Sequence, residues 1–211
     1  HRHFRRQRQM CIRDRLYILH ADSILCLNMD GQKLWHKQLL SSIKYSIRQK
    51  SATNSRGDII IIYKNDGVLK ARIFDSNGAI LVHDQVLENL SSIFNHTEIL
   101  PFGNEGWFFE SDGIHFIDKD GRLVWGDSGF KADFSRNRNM SIDIAMDSSI
   151  YILDKKDDSV TENTSLRLYK IDKNAKKMWG KSYCNLGRGI GEKYIVKTLE
   201  NDAIIVYEGD A

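Results

Sequence analysis

Proline is almost missing from this 211-residue chain, with Pro101 alone, and that excludes proline-rich linkers. Long hydrophobic runs are missing too. None approaches the ~18 to 20 residues that a transmembrane helix requires, so no membrane span is expected within this chain. Cysteine is scarce: Cys11, Cys26 and Cys184 stand far apart, and their spacing argues for neither a disulfide framework nor a metal centre. Helical periodicity is weak, since only 84–94 could be read as a helix, with Val86, Leu90 and Phe94 at marginal spacing. A surplus of one charge is lacking as well, with 31 basic against 28 acidic residues. At 41% apolar and 28% charged, the chain nonetheless has the composition of a folded globular protein.

The small excess of +3 is unevenly placed. Residues 1–15 (HRHFRRQRQMCIRDR) hold six arginines and one acid for a net +5, which leaves the remainder at −2. Such an arm suits an anionic partner. It also begins with His1 and lacks the apolar core of a signal peptide. The tract MCIRDR at 10–15 resembles translated sequencing adapter, so 1–15 is read as a non-native or disordered arm and no nucleic-acid partner is expected.

From Leu16 onward the chain repeats. LNMDGQKLW (27–35), FDSNGAILV (74–82), IDKDGRLVW (117–125) and IDKNAKKMW (171–179) share one pattern. An apolar residue precedes Asx at Asn28, Asp75, Asp118 and Asp172. Two residues separate this from Gly31, Gly78, Gly121 and Ala175, and three more lead to Trp35, Val82, Trp125 and Trp179. The last positions recur at intervals of 47, 43 and 54 residues, and three of the four tryptophans occupy one slot. These twelve residues are expected to be structural, with no catalytic, cofactor or metal site among them.

Strand-type runs flank every copy, at 24–27 and 33–39, 69–74 and 80–86, 114–117 and 123–125, and 166–171 and 177–183. Between them, Asp30-Gly31, Asn77-Gly78 and Asp120-Gly121 are dipeptides that favour positive φ in tight hairpins. Asn174-Ala175 suits such a turn less well and is expected to be looser. Further strands are expected upstream at 16–19, 59–63, 107–110 and 150–153, and before three of these near 46–53, 97–100 and 141–145. Four short antiparallel strands every ~40 to 50 residues predict an all-β fold, a β-propeller of four-stranded blades. A β-sandwich offers no reason for the turn and the tryptophan to return at that interval.

The blades are expected at roughly 16–40, 41–88, 89–130 and 131–184, with a half blade at 185–211. A second strand is expected at 203–207, where it would duplicate 16–19. Closure as a four-bladed ring therefore fits poorly, and about four and a half blades of a larger, open propeller is the expectation.

The pattern at Asp118, Gly121 and Trp125, and at Asn28, Gly31 and Trp35, resembles the tryptophan-docking motif of bacterial quinoprotein-like propeller repeats. It departs from that motif at Val82 and Ala175, and its turn is one residue shorter. The stretch 166–209 also resembles repeats of bacterial secreted and surface propellers. The resemblance implies a tryptophan packed between blades and a periplasmic, surface or extracellular location. Quinoprotein enzymes of this kind carry adjacent cysteines, a catalytic aspartate and calcium ligands, and no adjacent cysteines occur here.

Other constellations carry little chemistry. Asp118-Lys119-Asp120 and the acidic run 154–158 lack EF-hand spacing, and turns select Asp for local hydrogen bonds. His36 and His83 follow the slot residue in separate repeats, while His20, His96 and His115 lack metal-ligand spacing. The glycines at 187–191 have no helix behind them to cradle phosphate, and the sequons at Asn89, Asn95, Asn139 and Asn163 matter only if the source glycosylates. The polar insertion 155–164 is expected to be an exposed recognition loop. The sequence thus predicts a non-catalytic binding or scaffolding propeller that uses no cofactor and has a protein or glycan partner. The alternatives are part of a quinoprotein-type enzyme whose catalytic groups lie in other blades, and an intracellular WD-repeat-like scaffold.

Overall fold

In the computed structural model, residues 15–20, 23–39, 49–65, 67–87, 90, 99–111, 113–131, 140–157, 164–183, 190–200 and 202–209 are described. Most of residues 1–15, Cys11, Cys184, His96, the four sequons, the glycines at 187–189 and the centre of the 155–164 insertion lie outside them.

Among the described residues every regular element is a strand. The first sheet has order β1 (Arg15–His20), β2 (Ser23–Asn28), β3 (Lys33–Gln38). The second runs β4 (Gln49–Thr53), β5 (Ile59–Asn65), β6 (Val68–Phe74), β7 (Ile80–Val86). In the third, β8 (Ile99–Phe102), β9 (Gly106–Glu110) and β10 (Ile114–Asp118) are neighbours in that order. The fourth is β11 (Ser141–Ile144), β12 (Ile150–Asp157), β13 (Thr164–Ile171), β14 (Lys177–Tyr183), and the fifth is the hairpin β15 (Ile190–Leu199) and β16 (Asp202–Gly209). The pairings resolved between consecutive strands are antiparallel.

The chain divides into two units, residues 1–111 with 116–127, and 112–115 with 128–211. In the first unit the sheets stack face to face. Ile59–Ile62 is the clearest case, because four consecutive isoleucines cannot all point to one side of a strand. Ile59 and Ile61, with Tyr63 and Phe74, pack against Ile24, Leu39, Tyr17, Leu19 and Trp35 of the first sheet region. Ile60 and Ile62, with Leu69, Ala71 and Ile73, pack against Ile99, Trp107, Phe109 and Ile117 of the third. The second sheet is thus a filled middle layer. In the second unit Tyr151, Leu153, Leu166 and Leu168 of the fourth sheet pack with Val196, Ala203 and Ile205 of the fifth.

The repeated turn is a three-residue loop. Asp75 Oδ1 accepts from the N–H groups of Asn77 and Ala79, both at 2.8 Å. The Asp75 carbonyl accepts from Gly78 N–H at 3.0 Å, and Asp75 N–H donates to the Ala79 carbonyl at 2.9 Å. Asp118 and Asp172 accept from the backbone in the same way, and Asn28 Oδ1 accepts from Gln32 N–H at 2.8 Å. Only the fourth residue of each turn has positive φ, 78° at Gly31, 81° at Gly78, 83° at Gly121 and 62° at Ala175. A two-residue hairpin turn with Asp-Gly at its centre would need positive φ at Asp30, Asn77 and Asp120 as well. The arrangement is instead a tight turn closed by a left-handed residue, with the register shift expected of a bulge at Leu27, Phe74 and Ile171. Nor is the Ala175 turn looser, since Ala175 N–H reaches the Asp172 carbonyl at 3.1 Å and Asp172 N–H reaches the Lys176 carbonyl at 3.0 Å.

Candidate functional site

The slot residue and the turn glycine meet across sheets. Trp35 leaves β3 towards the second sheet, where its indole N–H donates to the Ser76 carbonyl at 3.0 Å inside the Asp75–Gly78 turn. A Cβ built on Gly78 would lie 2.8 Å from the Trp35 ring, so glycine is required there for close approach as well as for its φ. Val82 repeats the arrangement one sheet later, with a methyl 2.7 Å from where a Cβ on Gly121 would stand. The structure therefore brings together Trp35 with Gly78 and Val82 with Gly121. Around Trp35, the Tyr17 ring lies at 5.8 Å and the Phe74 ring at 6.2 Å between centroids.

Trp125 is half-buried, with its centroid 5.2 Å from Phe108 and 6.1 Å from Phe116. Trp179 stacks edgewise on Tyr151 at 5.9 Å, at the margin of the cluster between the fourth and fifth sheets. Asn28, Asp75, Asp118 and Asp172 spend side-chain oxygens on their own turns. Asp118 Oδ1 is thus committed to its own turn, accepting from the Asp120 and Arg122 N–H groups. Among the described residues no group of three His, Cys, Asp or Glu is placed to hold a metal ion.

A fifth copy of the turn escaped the sequence reading. Asn54 Oδ1 accepts from Arg56 N–H at 2.9 Å and Asp58 N–H at 3.0 Å, and Gly57 has φ 83°. Its signal was present in the sequence as Asn-x-x-Gly, but it joins β4 to β5, whereas the turns at Gly31, Gly78 and Ala175 join the last two strands of their sheets. The turn at Gly121 follows β10 and closes on the single bridge Ile117↔Leu123, not on the strand expected at 123–125. The Gly57 carbonyl accepts from Tyr17 O–H at 2.8 Å, another tie from the first sheet to the second. Burial first, then the nearby Cys26, pushes the Tyr17 hydroxyl up to about 12, so it remains a neutral donor. Cys26 is a buried free thiol, and burial raises its pKa although the Arg15 charge opposes this.

The strongest polar cluster was also not anticipated. Arg72, buried on β6, donates through Nε to Asp84 Oδ1 at 2.7 Å and through a terminal nitrogen to the Leu39 carbonyl. Tyr63 O–H donates to the same Asp84 oxygen. Asp84 has φ 50°, a left-handed conformation inside β7 that accompanies a register shift against β6. Burial works to raise the Asp84 carboxyl, but hydrogen bonds from Tyr63 and Arg72 and the Arg72 charge outweigh it and hold the group below its ordinary 3.8. His83 beside it is exposed, and His36 is exposed in the first sheet. In the fourth sheet Asp154 is fully buried and ion-paired with Arg167, its register partner on β13. Arg72 with Asp84, and Arg167 with Asp154, each join strands of one sheet, an arrangement suited to fixing strands in register. No protein-family model matches the chain, and no curated protein matches it either.

Proposed function

We propose that the chain forms blades of a β-propeller that works by binding or scaffolding, with a protein or glycan as partner. The observation that carries this reading is the relay from one sheet to the next, Trp35 onto Gly78 and Val82 onto Gly121. Trp35 and Val82 each lie four residues after their own turn and reach the following one, so the Gly31, Gly78 and Gly121 turns are set in succession along one end of the first unit. Their tips are exposed and chemically varied, with Met29 70% accessible and Asn77 and Lys119 also open to solvent. Exposed loops on a rigid scaffold are where recognition is usually placed.

By its resemblance to quinoprotein-like repeats the protein is assigned to the bacterial periplasm or cell surface. Binding of the labelled chain to a glycan array tests the reading, as does its binding to isolated bacterial surface proteins. Saturable binding is expected, and it should weaken at least tenfold when Met29, Asn77 and Lys119 are all replaced by serine. Calcium-dependent uptake of pyrroloquinoline quinone, seen as cofactor absorbance and dehydrogenase activity, would replace this reading with an enzymatic one.

A further inference from the structure

The turn glycines of the first unit are not equally occupied. Gly78 holds Trp35 and Gly121 holds Val82, yet among the described residues nothing lies within 4 Å of a Cβ built on Gly31. The face that flanks this empty position is apolar. Leu16 pairs with Leu27, and Ile18 with Leu25, on the side of the first sheet opposite Cys26 and Trp35. Leu16 is 53% exposed, Ile18 43% and Leu34 47%.

Register shows how unusual that exposure is within this molecule. The pair Leu16↔Leu27 corresponds to Ile59↔Phe74 in the second sheet and to Ile150↔Ile171 in the fourth, each immediately before the turn Asx. Ile59 is 1% exposed, and Phe74, Ile150 and Ile171 are 0%. Ile18 likewise corresponds to Ile61 and Ile152, both 0% exposed. The same positions that are sealed in two other sheets are thus open in the first, beside Gly31, which among the repeated-turn glycines Gly31, Gly78 and Gly121 alone lacks a docking side chain.

We propose that this outer face seats one more sheet of the same repeat, whose last strand lays a tryptophan or valine on Gly31. The proposal rests on the propeller reading in taking the occupant to be a repeat sheet. The occupant's chemistry follows from the seats already filled, which take an apolar face and a single slot side chain. Residues 1–14 do not have that chemistry, because five arginines leave them few apolar side chains.

The test extends the full chain, inserting a copy of residues 41–105 ahead of Arg15, which supplies the connection and first strand that β1 otherwise lacks and sets the added Val82 about as far ahead of Gly31 as Val82 is of Gly121. Hydroxyl-radical footprinting then reads oxidation of Leu16 and Ile18, with Val124, 52% exposed, as the unaffected control. The expected result is a several-fold fall at Leu16 and Ile18, reversed when the added copy carries Val82→Ser. A second extension, a copy of residues 89–149 with Trp125 in the slot, guards against an added repeat that fails to fold. No protection from either extension would overturn the proposal, and so would protection that survives the serine. Concentration-dependent protection in the unextended chain would assign the face to a second copy and overturn it as well. Failure of glycan or surface-protein binding leaves this footprint unchanged, so the two readings fail separately.

Discussion

Gly31 and Gly78 have nearly the same backbone, with φ of 78° and 81°, and opposite surroundings. Left-handed φ costs an L-residue roughly 1 to 2 kcal/mol, and overpacking adds about 1 to 3. Gly31→Ala should therefore cost about 1 kcal/mol in urea unfolding, whereas Gly78→Ala, with its Cβ 2.8 Å from Trp35, should cost about 3. Equal losses at the two sites would show that the Trp35 contact does not constrain the turn. Ala175 poses the reverse experiment. It already sits at φ 62° with intact turn hydrogen bonds, so Ala175→Gly should stabilise by about 1 kcal/mol, read as a higher urea midpoint at unchanged slope. The sequence marked these positions because positive φ and close approach are demands on single residues. It misjudged Ala175 because the Asp172 carboxylate, which ties down Asn174 and Lys176, holds the turn whatever residue closes it.

Among the strands, what was legible follows from side-chain alternation. A run such as Ile59–Ile62 announces a strand covered on both faces, and the Asx-x-x-Gly spacing announces the hairpin that follows. Hairpin length was not legible because a two-residue and a three-residue turn both end in Gly, and only the register shift separates them. The Tyr63, Arg72 and Asp84 cluster was not legible, because Asp84 reaches Arg72 only through a left-handed kink within β7. Its pH dependence has a definite sign. A carboxylate held below 3.8 contributes stability that is complete above that ordinary value and disappears as pH falls through the lower folded value. Asp84→Asn should cost about 2 to 3 kcal/mol at pH 6, the range for hydrogen bonds to a charged group. Thermal melts of the two proteins should converge as pH drops below 4, and a gap independent of pH would mean that the carboxylate charge does not hold Arg72.

On the scale of the whole molecule, stability should follow the layering. Among the described residues each sheet is built from strands consecutive in sequence, and three core clusters join sheets that are neighbours along the chain. That order was visible in the sequence as a repeat, because the unit of folding and the unit of repetition coincide. What covers each outer face was not visible, since Leu16 and Ile59 occupy the same register position and their sequences give no sign of which is open. Stability in stacked repeats is approximately a sum of repeat terms and nearest-neighbour interfaces, so damage to one layer should fade with distance along the stack. Ile61→Ala opens a cavity on the face shared with Ile24 and Phe74, a change that costs about 2 to 5 kcal/mol at fully buried sites. Native-state hydrogen exchange should then show β5 and β6 losing protection by that amount, while Tyr151, Leu153 and Leu168 in the second unit, which owns a separate cluster, keep most of theirs. Equal loss in both units would show that they unfold as a single cooperative body, and the layered account of this chain's stability would fail.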